Sequence, residues 1–372
     1  SGSYQYVSGS RTGNFSVSAQ SGSSYLLENA KLNRFTTVFA GGFDGLDVKE
    51  REPFRNTKLG TTNSTELNNY AFYSVKRAID AASDPEVVEY NLATIPGVNN
   101  TSLTEHLIKV CEDRGDALAI IDLENDYVPD TEGTSAETSR LPEPEQAVTS
   151  LRQRGLNSSY GCAYFPWVQI RDTLANQLLW APPSVVALGT MAYSERQEEL
   201  WFAPAGFTRG GLSEGAAGIP VTNVKMQLNS RERDRLYAAN INPIASFPAE
   251  GLVVFGQKTL QVTPSALDRV NVRRLLIHLK KEVSRIAATT LFEQNVQSTW
   301  NRFAGEVEVF LNDVKSGLGL TDFRVVLDET TTTPELVDRN ILYAKVFLKP
   351  ARAIEFIALD FVITDTGASF AD

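Results

Sequence analysis

Histidine and cysteine, on which most metal sites and many nucleophilic mechanisms depend, are nearly missing here: two of each in 372 residues. His106 and His278 stand singly in helical patterns, outside any ligand spacing such as HExxH, and read as structural. Cys111 and Cys162 are too few for a zinc set or a disulfide framework. We expect both to be buried and reduced, as in a protein assembled in a cytoplasm. No run of eighteen apolar residues occurs, so no helical membrane span is expected. Cations are also outnumbered, 35 against 45 acids for a formal net charge of −10. That balance argues against bulk nucleic-acid binding, which needs a broad basic face.

The catalytic signatures are absent too. The sequence has no GxSxG elbow. The turn "FAGGFDG" lacks the lysine of GxxxxGK[ST] and the spacing of GxGxxG, so Gly41, Gly42 and Gly45 read as a tight turn and not as a phosphate loop. Asp328 and Glu329 in "VLDETTTT" end a strand pattern and lead into a capped helix, which suits a turn better than paired acid–base carboxylates. Neither cofactor nor metal is expected. The alternative that stays open is a nucleotide- or phosphate-binding α/β enzyme using the strand ends and the glycine turn.

What the sequence does contain is a folded composition, 42% hydrophobic, with a clear change of element order along the chain. Residues 1–32 are rich in Ser and Gly and are expected to be extended or flexible. Lacking an initiating Met, the sequence is expected to begin inside a longer protein. From 33 to 205, strands ("VVEYNLATIPG", "DALAIIDLE", "SSYGCAYFPWVQI") alternate with helices ("SLTEHLIKVCEDRG", "PEQAVTSLRQRG"), which predicts an α/β domain with a mostly parallel sheet flanked by helices. Thr101 or Ser102 is expected to cap the first of these helices, and Gly115 and Gly155 to end them. The acidic stretch 125–145 reads as a surface loop. From 206 to 372, helix patterns including "NSRERDRLYAANINPI" precede three closing strands, "DFRVVLDE", "ILYAKVFLK" and "EFIALDFVIT". This order predicts an α+β domain with a largely antiparallel sheet. In the last strand Phe356, Ala358, Asp360 and Val362 share a face apolar enough to accept a neighbour, and we expect the sheet to have an open edge.

One segment breaks the acidic trend. "LDRVNVRRLLIHLKKEVSRIA" holds Arg269, Arg273, Arg274, Lys280, Lys281 and Arg285 against Asp268 and Glu282. Its apolar residues Val272, Leu275, Leu276, Leu279, Val283 and Ile286 recur at helical spacing, and a helical wheel puts every cation outside that stripe. Two readings follow: pairing with the protein's own acids, or a docking face for an acidic neighbour.

The segments "WFAPAGFTRG", "RERDRLYAANINPI", "GLVVFGQKTL", "LDRVNVRRLLIHLKKEV", "LFEQN" and "FRVVLDETTTTPELVDRNILYAKVFLKPARAIEFIALDFV" follow one another from Trp201 to Val362. In that order they resemble the C-terminal region of tail sheath proteins from contractile-tailed bacteriophages, related to the sheaths of contractile bacteriocins and type VI secretion systems. The resemblance implies a structural subunit and no enzyme. Its partners would be other sheath subunits in stacked hexameric rings, the tail tube, the baseplate and the tail terminator, with no membrane or nucleic-acid contact. It would belong to the virion tail, assembled in the host cytoplasm, and contraction would drive the tube through the envelope during genome ejection. It further implies strand exchange between subunits, for which Phe356, Ala358, Asp360 and Val362 are the candidate edge. Contact with the tube or a neighbour is expected through Arg269, Arg273, Arg274, Lys280, Lys281, Arg285 and Lys315.

Overall fold

The computed structural model describes residues 52–60, 66, 67, 69–133 and 135–355, all within one compact unit. The expected N-terminal segment, the glycine turn at 41–45 and, apart from Glu355, the expected strand 355–364 lie outside them.

The central layer is a five-stranded sheet. Helix α1 (Tyr70–Ala81) precedes β1 (Leu92–Thr94), α2 (Thr101–Arg114), β2 (Leu118–Ile121), α3 (Pro144–Gln153) and β3 (Gly161–Phe165). Both β2 ("LAII") and β3 ("GCAYF") are buried at every residue, the unbroken apolar pattern of strands covered on two faces. Asn100, and not Thr101 or Ser102, caps α2 by accepting the Leu103 N–H. Gly115 ends the helix in left-handed backbone, as its sequence position predicts, and Gly155 has φ 63° just past α3.

After β3 the chain departs from simple alternation. "SSYGCAYFPWVQI", expected as one strand, is two: Pro166, which cannot donate to a ladder, separates β3 from β4 (Val168–Asp172). Strand β4 pairs antiparallel with β5 (Gln177–Ala181) on one side and, beyond α4 (Pro183–Gln197), with β6 (Val221–Val224) on the other. The chain then returns through α5 (Ser230–Ala238), whose N-terminus is closed by a reciprocal capping box between Asn229 and Glu232. The helix expected to include "INPI" stops short of it. Asn240 adopts φ 64°, and Ile241 opens β7 (Ile241–Phe247), which pairs parallel with β3. The antiparallel strand β8 (Gly251–Val254) completes the order β1-β2-β3-β7-β8. Residue 205, the expected domain boundary, thus has strands of this one sheet on both sides.

Helix α6 (Val270–Thr290) links this body to a second lobe. Its first half contributes Val270 and Ile277 to the core around Leu118, Ile120, Tyr164 and Ile244. Leu275 and Leu279 instead face Phe303, Val307, Leu311 and Val314 of α7 (Gln297–Ser316). Strands β9 (Leu320–Val326) and β10 (Lys345–Pro350) form an antiparallel pair whose inner residues Phe323, Val325, Val346 and Leu348 pack on that second cluster. The mixed α/β body and the separate antiparallel sheet are the fold class expected from the sequence.

The acidic stretch 125–145 is ordered around Arg140. This buried guanidinium donates to the carbonyls of Ser135 and Val128 and pairs with Asp130 at 2.5 Å. The stretch is a surface loop, as expected, with Arg140 as its internal anchor.

Candidate assembly interface

The basic helix α6 is split by its own burial. Arg273 and Arg274 are only 7% and 3% exposed, so the expectation that all six cations stand outside the packed stripe fails for these two. Arg274 donates to Glu195 at 2.7 Å and to the Met191 carbonyl, both on α4. Burial holds its pKa below the usual arginine value, with Glu195 acting against the shift. Arg273 donates to Ser159 and lies 4.1 Å over the Tyr160 ring. These two arginines fasten the helix to its own body.

Arg269 is also occupied. Its Nε and one terminal nitrogen grip both oxygens of Glu355, which further accepts from Tyr237 and Gln257. Lys281 pairs with Glu89 at 2.5 Å and lowers that carboxylate's pKa by hydrogen bonding and charge. Arg285 reaches Glu282 one turn back, and Lys315 reaches Asp322 at 3.1 Å. Lys280, Arg285 and Lys315 are exposed, so with the half-buried Lys281 they are the cations of this set that a neighbour can approach.

The second lobe presents an edge. Among the described residues β9 and β10 pair only with each other. The outer face of β10 carries exposed Lys345, Phe347 and Lys349, opposite Val326, Arg324 and Asp322 of β9. Lysine on a short edge strand deters indiscriminate pairing while leaving the backbone groups available to a specific strand. Pairing of that kind holds through main-chain hydrogen bonds, irrespective of most side chains. Phe356, Ala358, Asp360 and Val362 fall outside the described residues.

Four residues that sequence reasoning passed over, Trp201, Asn271, Gly317 and Gly319, hold this lobe in place. The Trp201 indole N–H donates to the Gly317 carbonyl at 2.8 Å, and the Trp201 carbonyl accepts from Asn271 of α6. A Cβ at Gly317 or Gly319 would meet the Trp201 ring at 2.9 or 3.1 Å. The closely spaced "GLG" after a long helix was the available signal.

The strand ends of the body, where open α/β sheets bind ligands, are closed by the protein's own groups. Asp122 follows β2 and accepts from the Gly97 N–H and from the Ser184 N–H and hydroxyl. Asp126 accepts from the Tyr127 and Trp167 N–H groups. Burial pushes these carboxyls up, Asp122 to about 6 and Asp126 to about 8. Asp328 accepts from the Thr330 and Thr331 N–H groups in the turn expected there. No group of three or more His, Cys, Asp or Glu suited to a metal occurs among the described residues. No helix among them is long and apolar enough to cross a membrane.

Residues 262–364 match the phage tail sheath C-terminal domain. The tail sheath protein of Vibrio phage KVP40 is 39% identical over 193 residues, 52% of this chain and 28% of the relative. That of Enterobacteria phage T4 is 37% identical over 191 residues, again reaching 28% of the relative, and that of Salmonella phage ViI is 26% identical over 321 residues and 50% of its length. The chain therefore spans well under two thirds of each of these relatives. Among solved structures, the sheath complex of an extracellular contractile injection system (PVC) in its contracted state has a TM-score of 0.62 at 19% identity, covering 88% of this chain and 97% of that one. The contracted helical sheath of the anti-feeding prophage has a TM-score of 0.57 at 21% identity, covering 79% and 74%. These likenesses place the fold.

Proposed function

This chain belongs to the contractile tail sheath family, and from that premise we propose that it is the assembly-bearing part of a sheath subunit that polymerises as stacked hexameric rings around a tail tube. Sheath proteins are structural and not enzymes. The observation that carries the proposal is the β9–β10 pair, a two-stranded sheet inside the matched sheath domain and packed on α6 and α7. An edge of this kind can take a strand from a neighbouring subunit. Each main-chain hydrogen bond so formed contributes about 0.5–1.5 kcal/mol net. A single link is weak, and repetition along a lattice makes the network persistent.

In this reading the partners are other sheath subunits, a tube, a baseplate and a terminator, and the product is a virion tail assembled in the host cytoplasm. Contraction would rearrange contacts between rigid bodies while strand links keep them connected, driving the tube through the host envelope. Exposed Lys280, Arg285 and Lys315, with the half-buried Lys281, would supply contacts to an acidic tube or neighbour that are weak enough to break. Phe356, Ala358, Asp360 and Val362 would form the exchanged edge.

The test is electron microscopy of the full-length protein after overexpression. Self-assembled tubes are the expected result. A protein that stays monomeric at high concentration, and is stabilised against heat by a nucleotide, would overturn the reading in favour of a ligand-binding enzyme.

A further inference from the structure

The hairpin formed by α6 and α7 ends in an apolar point. Leu291 and Phe292 at its tip are exposed, Phe292 completely, and Val296 beside them is about half exposed. Phe292 also has φ 67°, a left-handed backbone that costs an aromatic residue stability. A single solvated leucine needs no explanation. A fully solvated phenylalanine, held at a helical tip in costly backbone, does.

At the opposite end of α6 lies a groove of about 520 Å³. Leu151 and Leu260 form its buried floor, Leu156, Ala239 and the exposed Val262 line its walls, and Arg152 stands on its rim. The groove adjoins the start of α6, since Lys258 bridges Arg269 and Gln261 donates to Ser265 just before the helix begins. The 21 residues of α6 make a rod of about 31 Å. Past the Lys281–Glu89 pair it continues to Thr290, an overhang of about 13 Å. The tip of a chain therefore cannot reach the groove of the same chain.

We propose that Phe292 of one copy seats in the Leu151–Leu260–Val262 groove of a second copy. Glu293 follows Phe292 at the tip, paired only loosely with the exposed Arg302 at 3.7 Å, and is opposite in sign to Arg152 on the rim, which orients the approach. Because tip and groove are different patches at opposite ends of one rod, the contact is heterologous and propagates head to tail, as a ring or a filament requires. It shares with the sheath reading only the premise that copies associate.

The experiment keeps Phe292 and Val262 and places cysteines beside them, at Leu291→Cys on the tip and Thr263→Cys on the groove, in the full-length protein, which is treated with a short bismaleimide. Cys111 and Cys162 stay silent, being buried with thiols pushed up to about 12. A ladder of covalent oligomers is expected from the double variant and from neither single one. Tubes without a ladder overturn this contact and leave the sheath reading standing, whereas a ladder without tubes supports the contact and overturns the sheath reading. Cross-linking of Leu291→Cys alone would mean tip against tip and overturns the proposal. Phe292→Gly separates folding from contact: relief of the left-handed strain raises Tm, while the concentration needed for association rises on the order of tenfold. Unchanged association of that variant overturns the proposal.

Discussion

The Trp201 indole donates a 2.8 Å hydrogen bond to the Gly317 carbonyl, across 116 residues of chain, and joins the sheet body to the α7–β9 turn. Its ring also occupies the space that a Cβ at Gly319 would need, close to Val314. Gly319→Ala is expected to cost about 1–3 kcal/mol by overpacking. Trp201→Phe costs about as much through the lost hydrogen bond and the smaller ring. Urea unfolding should give a lower midpoint for each variant, and hydrogen exchange should show the loss concentrated in α7 and β9.

Charge reversal along α6 should divide sharply by position. Arg274→Glu sets a carboxylate beside Glu195 in a buried site and is expected to cost about 3–5 kcal/mol or to prevent folding. Lys280→Glu and Lys281→Glu change exposed or half-buried groups and should move stability by about 1 kcal/mol or less. If the exposed cations contact a neighbour, the Lys280/Lys281 pair of changes impairs assembly while Tm holds, and normal assembly on tubes would reject that role.

Stability should fall as pH rises through neutrality. In the folded protein Asp126 keeps its proton up to about 8 because burial penalises the charged form, whereas the unfolded chain releases it in the ordinary carboxylate range. Between those values the folded state binds more protons, so the stabilising contribution is full at the acidic end and is lost on approaching pH 8. Asp126→Asn can retain acceptance from the Tyr127 and Trp167 N–H groups and cannot ionise. Its plot of Tm against pH should be flatter over this window than that of the unaltered protein.

The two-pronged grip of Arg269 on Glu355 returns the chain from β10 to the body. Glu355→Gln keeps the shape and removes the charge, at an expected cost of about 1–3 kcal/mol. The urea midpoint should drop with its slope unchanged, since no core surface is exposed.

Helices with strong period, such as α1 and α7, and the apolar runs of β2 and β3 were legible because local pattern and burial agree. The hidden elements are those fixed by distant partners. Strand β7 follows α5 almost without a linker and contains Pro243, so nothing local announces that it pairs with β3. Strands β5 and β6 mix exposed and buried residues and find their register only on β4. The helical wheel read Arg273 and Arg274 as solvent-facing because it cannot know that Ser159, Met191 and Glu195 wait on the inner side. The family was legible through segments spread along the second half of the chain.

The parallel ladder between β3 and β7 also sets an order of events during synthesis. Ala163 must wait for Ile241 before its register partner exists, and α6 finds its seat only after that sheet is laid down. A nascent chain emerging from the ribosome thus completes its body before α7, β9 and β10 have anything to dock on. The β9–β10 edge therefore forms only on a body that has already folded.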